Sequence, residues 1–184
     1  MPVTYQTACR IFERANAHFL HEAYHAIINN VSERNWYGTM KSCLDRAKTG
    51  TGARNYHTDI EYNRNAGQLK TIMDERSEVI SICCDVIFHS RGEVIEQDNL
   101  IAIEMKKTGS TDDDRSKDIT RLRCLTRDSF NDTWSFDGLA LPEHVCRYML
   151  GVFYEVDIAT QSAVIQYYRL GELYHEYNVS FARD

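Results

Sequence analysis

The sequence has no apolar run approaching the roughly 18 residues that a membrane-spanning helix needs, and its first residues lack the charged-then-apolar pattern of a secretory signal. A cytoplasmic protein with no membrane partner is therefore expected. CxxC pairs are absent too: the six cysteines stand at positions 9, 43, 83, 84, 124 and 146. Cys83 and Cys84 sit inside an apolar, strand-like run, and the cysteines read as buried free thiols of a reducing compartment. Internal repeats and low-complexity segments are missing. Positive charge is in short supply, with 21 Lys and Arg against 27 Asp and Glu and a formal net charge of -6. That balance argues against broad electrostatic affinity for nucleic acid, although a local basic rim can coexist with an acidic body.

What is present suits a folded chain: 184 residues, 43% hydrophobic and 26% charged, with eleven Tyr and seven Phe. This is too aromatic for disorder, and the length fits one domain with a sizeable core. Over 4–29, Ile11, Ala15, Phe19, Ala23 and Ile27 recur every four residues and predict one long amphipathic helix. Ser32 offers an N-cap hydroxyl for a second helix over 33–47, whose apolar face runs through Trp36, Met40, Cys43 and Ala47 to the Gly50-Thr51-Gly52 breaker. Residues 56–64 alternate like a strand and lead into a turn at 65–67. The run 79–88 is nearly all apolar and β-branched, the pattern of a strand covered on both faces, and Asp85 is the one charge that interrupts it. A further buried strand spans 100–106 and a helix 112–127. A helical turn begins at Pro142, and strands over 150–157 and 163–170 precede an aromatic tail.

The chemistry concentrates in the two apolar runs. If they form an antiparallel hairpin with Phe88 opposite Ile101, Asp85 falls opposite Glu104. Alternation then puts Lys106 on the same face as Glu104 and turns Met105 into the core. Two carboxylates side by side in an apolar strand pair repel and are costly to desolvate unless a cation compensates them. Mg²⁺ takes oxygen ligands and keeps several waters. Asp85, Glu104 and the backbone carbonyl of Met105 are therefore the candidate metal ligands, and Lys106 the candidate group for orienting or deprotonating the attacking water. The plainer reading of the same residues is an Asp85–Lys106 ion pair with Glu104 capping the solvent end of the strand.

The order helix, strand, Asp-bearing strand, ExK strand, helix, strand resembles the core of the PD-(D/E)XK nuclease superfamily. The matching pieces are Ser32-Glu33-Arg34, Asp59-Ile60-Glu61-Tyr62-Asn63-Arg64, Asp85-Val86-Ile87-Phe88-His89-Ser90-Arg91-Gly92 and Asn99-Leu100-Ile101-Ala102-Ile103-Glu104-Met105-Lys106-Lys107. They cover residues 32 to about 127 and are similar to one group of small bacterial proteins within that superfamily. Cys84 stands where such families usually carry a proline before the aspartate. The resemblance implies an α/β, restriction-endonuclease-like fold: a central mixed β-sheet flanked by helices in the order αβββαβ, with an extra N-terminal helix. It is expected as a single domain over 1–184, with a helical extension over 1–30, a core over 32–157 and a C-terminal strand and tail over 158–184. The implied activity is that of a Mg²⁺-dependent deoxyribonuclease, endonuclease rather than exonuclease, with Mn²⁺ able to substitute. Asp85 and Glu104 would bind the metal, Lys106 would be catalytic and Glu33 would assist. Glu61 competes with Glu33 for that accessory metal-binding role; its plainer alternative is a solvated edge charge or a partner of Arg64.

Lys107 and Arg115, with Lys117 and Arg121, are expected to form a local basic rim if the helix over 112–127 packs across the site. His89 and Arg91 are further candidates for nucleic-acid contact, although hairpin loops are polar in any case. His18, His21 and His25 have helical spacing that suits zinc, but no acidic or cysteine partner completes the set. Asp112, Asp113 and Asp114 are explained by the helix macrodipole. DNA is expected over RNA as the partner, and a homodimer would bring two sites to the two strands of a duplex. The alternative from another class is a catalytically silent member of the fold that binds nucleic acid or a protein partner in a bacterial defence or mobile-element system. The acidic net charge favours the protein partner.

Overall fold

The computed structural model describes residues 3–61, 64–65, 68–69, 71–73, 79–81, 83–128 and 147–183. Helix α1 (Tyr5–Glu22) begins at Thr4, whose hydroxyl accepts from the Thr7 amide at 3.2 Å and so satisfies one orphan donor of the first turn. Ile11, Phe12, Ala15 and Phe19 bury its apolar stripe. The single helix expected over 4–29 is interrupted at Ala23, and a short α2 (Tyr24–Ile28) follows. A local cause is present: the His21 carbonyl accepts from Arg183 Nη2 at 2.7 Å, and the Arg183 guanidinium lies 4.0 Å over the Tyr24 ring. A side chain competing for a helical carbonyl is a recognised origin of such bends. Helix α3 (Glu33–Ala47) has the expected bounds and buries Trp36, Tyr37, Met40, Cys43 and Leu44, while the Ser32 hydroxyl makes no capping bond.

The strands that follow are β1 (His57–Ile60), β2 (Arg64–Asn65), β3 (Gln68–Leu69), β4 (Thr71–Met73), β5 (Val79–Ser81), β6 (Val86–His89) and β7 (Asn99–Lys107). Helix α4 (Asp112–Thr126) then leads on to β8 (Leu150–Asp157), β9 (Ser162–Arg169) and β10 (Glu172–Ser180). Six strands form one sheet in the order β1-β6-β7-β8-β9-β10, while β2–β3 and β4–β5 are separate antiparallel pairs. Within the main sheet only β7 and β8 run parallel. The fold is thus α/β, a six-stranded mixed sheet flanked by helices. Among the described residues no helix is long and apolar enough to cross a membrane.

Three expectations need correction. The run 79–88 is not one strand, because Val79–Ser81 pairs with Thr71–Met73 and only Val86–His89 enters the main sheet. Asp85 marks the break: its backbone carbonyl accepts from the Glu61 amide at 3.1 Å, and its side chain, not its backbone, meets β7. The tail after β9 is a nine-residue edge strand, β10, paired to β9 along its length apart from a register shift near Leu173 and His175. Most of its side chains are exposed, so it carries no clean apolar alternation to announce it. Finally, Cys83 is exposed and Cys9 half-buried, whereas Cys43, Cys84 and Cys124 are buried. Cys146, the expected turn residues Ala66 and Gly67, and the Pro142 turn lie outside the described residues.

Strand alternation divides the core into two layers. Val86, Phe88, Ile101, Ile103, Met105, Val152 and Tyr154 pack with α1 and α3. Cys84, Ile87, Ala102 and Phe153 pack with Leu122 and Leu125 of α4. Helix α4 sits close: a Cβ at Gly151 would fall 2.9 Å from Thr126 Cγ2 and 3.2 Å from Tyr168 Cβ. Glycine at this place in β8 therefore sets how near α4 approaches the strands that carry the charged residues.

Candidate active site

Strands β6 and β7 pair in the expected register, with Phe88 opposite Ile101, Ile87 opposite Ala102 and Val86 opposite Ile103. Regular pairing stops one residue short of Asp85, whose Oδ2 accepts from the Met105 amide at 2.8 Å. The carboxylate takes the position that a ladder carbonyl would otherwise fill, beside Glu104. Because the N–H and C=O of one strand residue face the same neighbour, the Met105 carbonyl is directed to that same side, beyond the end of β6. Two residues on, the Lys107 amide donates to Glu33 Oε1 at 2.8 Å. One carboxylate from the end of β6 and one from the first turn of α3 thus dock on the same edge of β7.

Glu104 and Lys106 lie on the opposite face of β7 from Met105, under α4. Asp118 and Arg121, three apart on α4, share one helical face and complete the cluster. Glu104 Oε1 accepts from Arg121 Nη1 at 2.5 Å, and the same nitrogen donates to Asp118 Oδ1 at 3.0 Å. Lys106 Nζ forms an ion pair with Asp118 Oδ2 at 3.0 Å, although that oxygen has no well-aligned hydrogen-bond donor. Glu104 is 1% exposed and Asp118 4%, so these charges meet away from solvent, where unpaired charge is most costly.

The electrostatics follow. Burial, reinforced by the Asp85 charge, pushes Glu104 up to about 8 against the pull of Arg121. Burial also pushes Asp85 up to about 6, although the Met105 amide and the Tyr37 hydroxyl both stabilise its ionised form. For Lys106, burial works to lower the pKa, but contact with Asp118 and the charges of Asp85 and Glu33 outweigh it and raise the net value. Burial and the nearby Asp85 carboxylate keep the Tyr37 phenol protonated. Four carboxylates (Glu33, Asp85, Glu104, Asp118) gather here with two cations (Lys106, Arg121). With every group ionised, the cluster carries two negative charges in excess.

Among the described residues no three His, Cys, Asp or Glu side chains converge into a ready-made metal cluster. A cation here would rest on the carboxylates of Asp85 and Glu104 and the Met105 carbonyl, with water completing the shell. That all-oxygen, partly hydrated set suits Mg²⁺ or Mn²⁺. The donors therefore fit such an ion in chemistry, provided that Glu104 gives up its proton and Arg121.

The other sequence candidates are distributed around this cluster. Glu33 reaches β7 through the Lys107 amide, whereas Glu61 forks onto Arg34 at 2.8 and 2.6 Å, a different partner from the Arg64 considered above. The Lys107 ammonium lies on the α3 face, 2.7 Å from Asn30 Oδ1 and 5.1 Å from the Trp36 ring centroid. His89 is 3% exposed, with Nε2 3.0 Å from Asp59 Oδ2, and Arg91 binds the same carboxylate at 2.8 and 2.5 Å. His89 closes the far end of β6, about 13 Å from Asp85 along the strand, and Arg91 lies two residues beyond it, so they do not join the cluster. Arg115 pairs with Glu155 at 2.7 Å. His18, His21 and His25 are exposed. Asp118 escaped the sequence reading, and Arg121 entered it only as a rim charge. A signal was available: Asp118 lies four and seven residues before Leu122 and Leu125, so it interrupts the apolar stripe of α4 with a charge. No protein-family model, curated protein or solved structure matches the chain.

Proposed function

We propose that this protein is a metal-dependent nuclease that hydrolyses phosphodiester bonds, with DNA as the expected substrate, built on a restriction-endonuclease-like core. One observation carries the reading. Asp85 from the end of β6 and the buried Glu104 from the middle of β7 meet under a helix, with Lys106 two residues further on the same face as Glu104. The order of the main-sheet elements supports the reading: α3 precedes the antiparallel neighbours β1, β6 and β7, with β2–β5 inserted between β1 and β6, and α4 leads to β8 parallel to β7.

In this reading Asp85, Glu104 and the Met105 carbonyl hold Mg²⁺, with Mn²⁺ as a substitute. The ion supplies positive charge for the phosphoryl oxygens and acidifies a water. Lys106, kept cationic by Asp118, orients the attacking water and balances charge that develops on phosphorus. Glu33 holds the end of β7 in place through the Lys107 amide, and the Tyr37 phenol fixes the orientation of Asp85.

The test uses circular single-stranded and supercoiled double-stranded DNA with Mg²⁺, Mn²⁺ or EDTA, and Lys106→Ala as control. Metal-dependent cutting that disappears in the variant is expected. Absence of cutting under every condition would favour the second reading, a catalytically silent module for a nucleic-acid or protein partner in a bacterial defence or mobile-element system. That reading has its own support, since Glu104 with Arg121 and Lys106 with Asp118 already compensate one another pairwise.

A further inference from the structure

We propose that Arg121 is an exchangeable counter-ion: it neutralises Glu104 until a divalent cation binds, then leaves Glu104, stays anchored by Asp118 and becomes a ligand for the scissile phosphate. The proposal rests on the reading of Asp85 and Glu104 as a cation site.

Arg121 Nη1 lies 2.5 Å from Glu104 Oε1. A guanidinium that close and a dication on the same buried carboxylate would repel across a medium that screens poorly, so they occupy it in turn. Arg121 has a place to go. Asp118 sits one turn earlier on α4, its Oδ1 already 3.0 Å from the same nitrogen while its Oδ2 is held by Lys106. The Oδ1 contact is in place before Arg121 leaves Glu104, so the guanidinium stays anchored on Asp118 as it swings away.

The displaced group also reaches outward. The Arg121 side chain is 24% exposed, against 2% for Glu104, so it spans the distance from the buried carboxylate to solvent, from which a nucleic-acid backbone would approach. Its planar fork of donors matches a phosphate better than a lysine would. The exchange thus ties phosphate binding to occupancy of the cation site: without the ion the arginine is sequestered, and with it the arginine is presented.

The experiment has two parts. First, the wild-type chain labelled with ¹⁵N is titrated with Mg²⁺, following the Met105 backbone amide as the reporter of cation binding and the Arg121 Nε resonance, assigned by its loss in R121K. Both signals should move in step, and neither should respond in E104Q. Second, DNA affinity is measured for K106A and for K106A/R121Q, in Mg²⁺ and in EDTA. Loss of Arg121 should weaken binding on the order of tenfold in Mg²⁺, the worth of a charge-assisted hydrogen bond, and leave it unchanged in EDTA. A Met105 response with a stationary Arg121 resonance would overturn the exchange while leaving the cation site standing. An equal loss of affinity with and without Mg²⁺ would also overturn it, by making Arg121 an ordinary surface contact. No Met105 response to Mg²⁺ would remove the cation site and the exchange together.

Discussion

Helix α4 sends two arginines down to two glutamates on adjacent parallel strands: Arg115 to Glu155 on β8 at 2.7 Å, and Arg121 to Glu104 on β7 at 2.5 Å. Both glutamates are buried, at 6% and 1% exposure. Their surroundings differ. The register partner of Glu155 is Lys106, and Arg115 also rests 5.4 Å from the Phe153 ring centroid, so this carboxylate is bracketed by cations. Glu104 has Phe153 as its register partner on one side and Asp85 on the other, with Asp118 above. The same pairing of residue types thus does two jobs: the first clips α4 to the sheet, and the second holds in place a carboxylate that is short of positive charge.

The largest effect that would sharpen this contrast is on cleavage. Glu104→Ala, Asp85→Ala and Lys106→Ala should each reduce DNA cutting by about 10²- to 10⁴-fold, with circular dichroism spectra like that of the wild type. Mn²⁺ should raise the melting temperature of wild type and of Arg115→Ala by mass action, and should fail to do so in Glu104→Ala. Full cleavage by Glu104→Ala or Lys106→Ala would end the nuclease assignment.

Next comes pH. The folded-state pKa of Glu104, pushed up to about 8, lies above its unfolded value, so the native state holds a proton that the unfolded chain has released. The stabilising contribution is complete below the unfolded value near 4.3 and is lost as pH rises through about 8. In EDTA, the stability of wild type relative to Glu104→Gln should fall between pH 6 and 8 with a limiting slope of ~1.4 kcal/mol per pH unit. Because metal and proton compete for the same carboxylate, Mn²⁺ affinity should climb over the same window by up to about tenfold per unit. Parallel stability curves for wild type and Glu104→Gln would mean that Glu104 is ionised throughout, as in an ordinary ion pair.

A packing change tests the shared platform. Gly151→Ala would press a methyl group against Thr126 and Tyr168. Thr126 has little room to yield, because its Oγ1 is bonded to the Leu122 and Arg123 carbonyls and to the Gly171 amide. Overpacking of this kind costs about 1–3 kcal/mol, which urea unfolding would register. It should also weaken Mn²⁺ binding, since α4 carries the residues that hold Arg121 and Lys106.

These contrasts explain which parts of the molecule were legible in advance. The pairing of the two apolar runs was, and Phe88 does stand opposite Ile101, but both faces of β6 and β7 are buried, so alternation alone does not select that register. The α3 and α4 bounds were, because their apolar stripes are local, although Ser32 makes no capping bond at α3. Asp118 was not, because its meeting with Glu104 and Lys106 depends on where α4 lands across β7 and β8, a distance no sequence period encodes. The division of 79–88 was hidden for a similar reason: an unbroken apolar run carries no mark of where a side chain such as Asp85 replaces the backbone in the ladder. Strand β10 was hidden because an exposed edge strand has no buried face to alternate against.

The smallest effect bears on the other half of the comparison. Arg115→Ala removes one ion pair and one contact with an aromatic face. With 36% of the arginine side chain exposed, solvent screening limits the pair to ~1 kcal/mol, and the contact with Phe153 adds about 0.5–1 kcal/mol. Urea unfolding in EDTA should show a lower midpoint with an unchanged denaturant slope, the mark of altered stability without altered compactness. The Mn²⁺-induced rise in melting temperature should survive in full. If Arg115→Ala abolished that rise as completely as Glu104→Ala, Glu155 would belong to the cation site, the clip and the centre would be one network, and the contrast between the two arginine–glutamate pairs would fail.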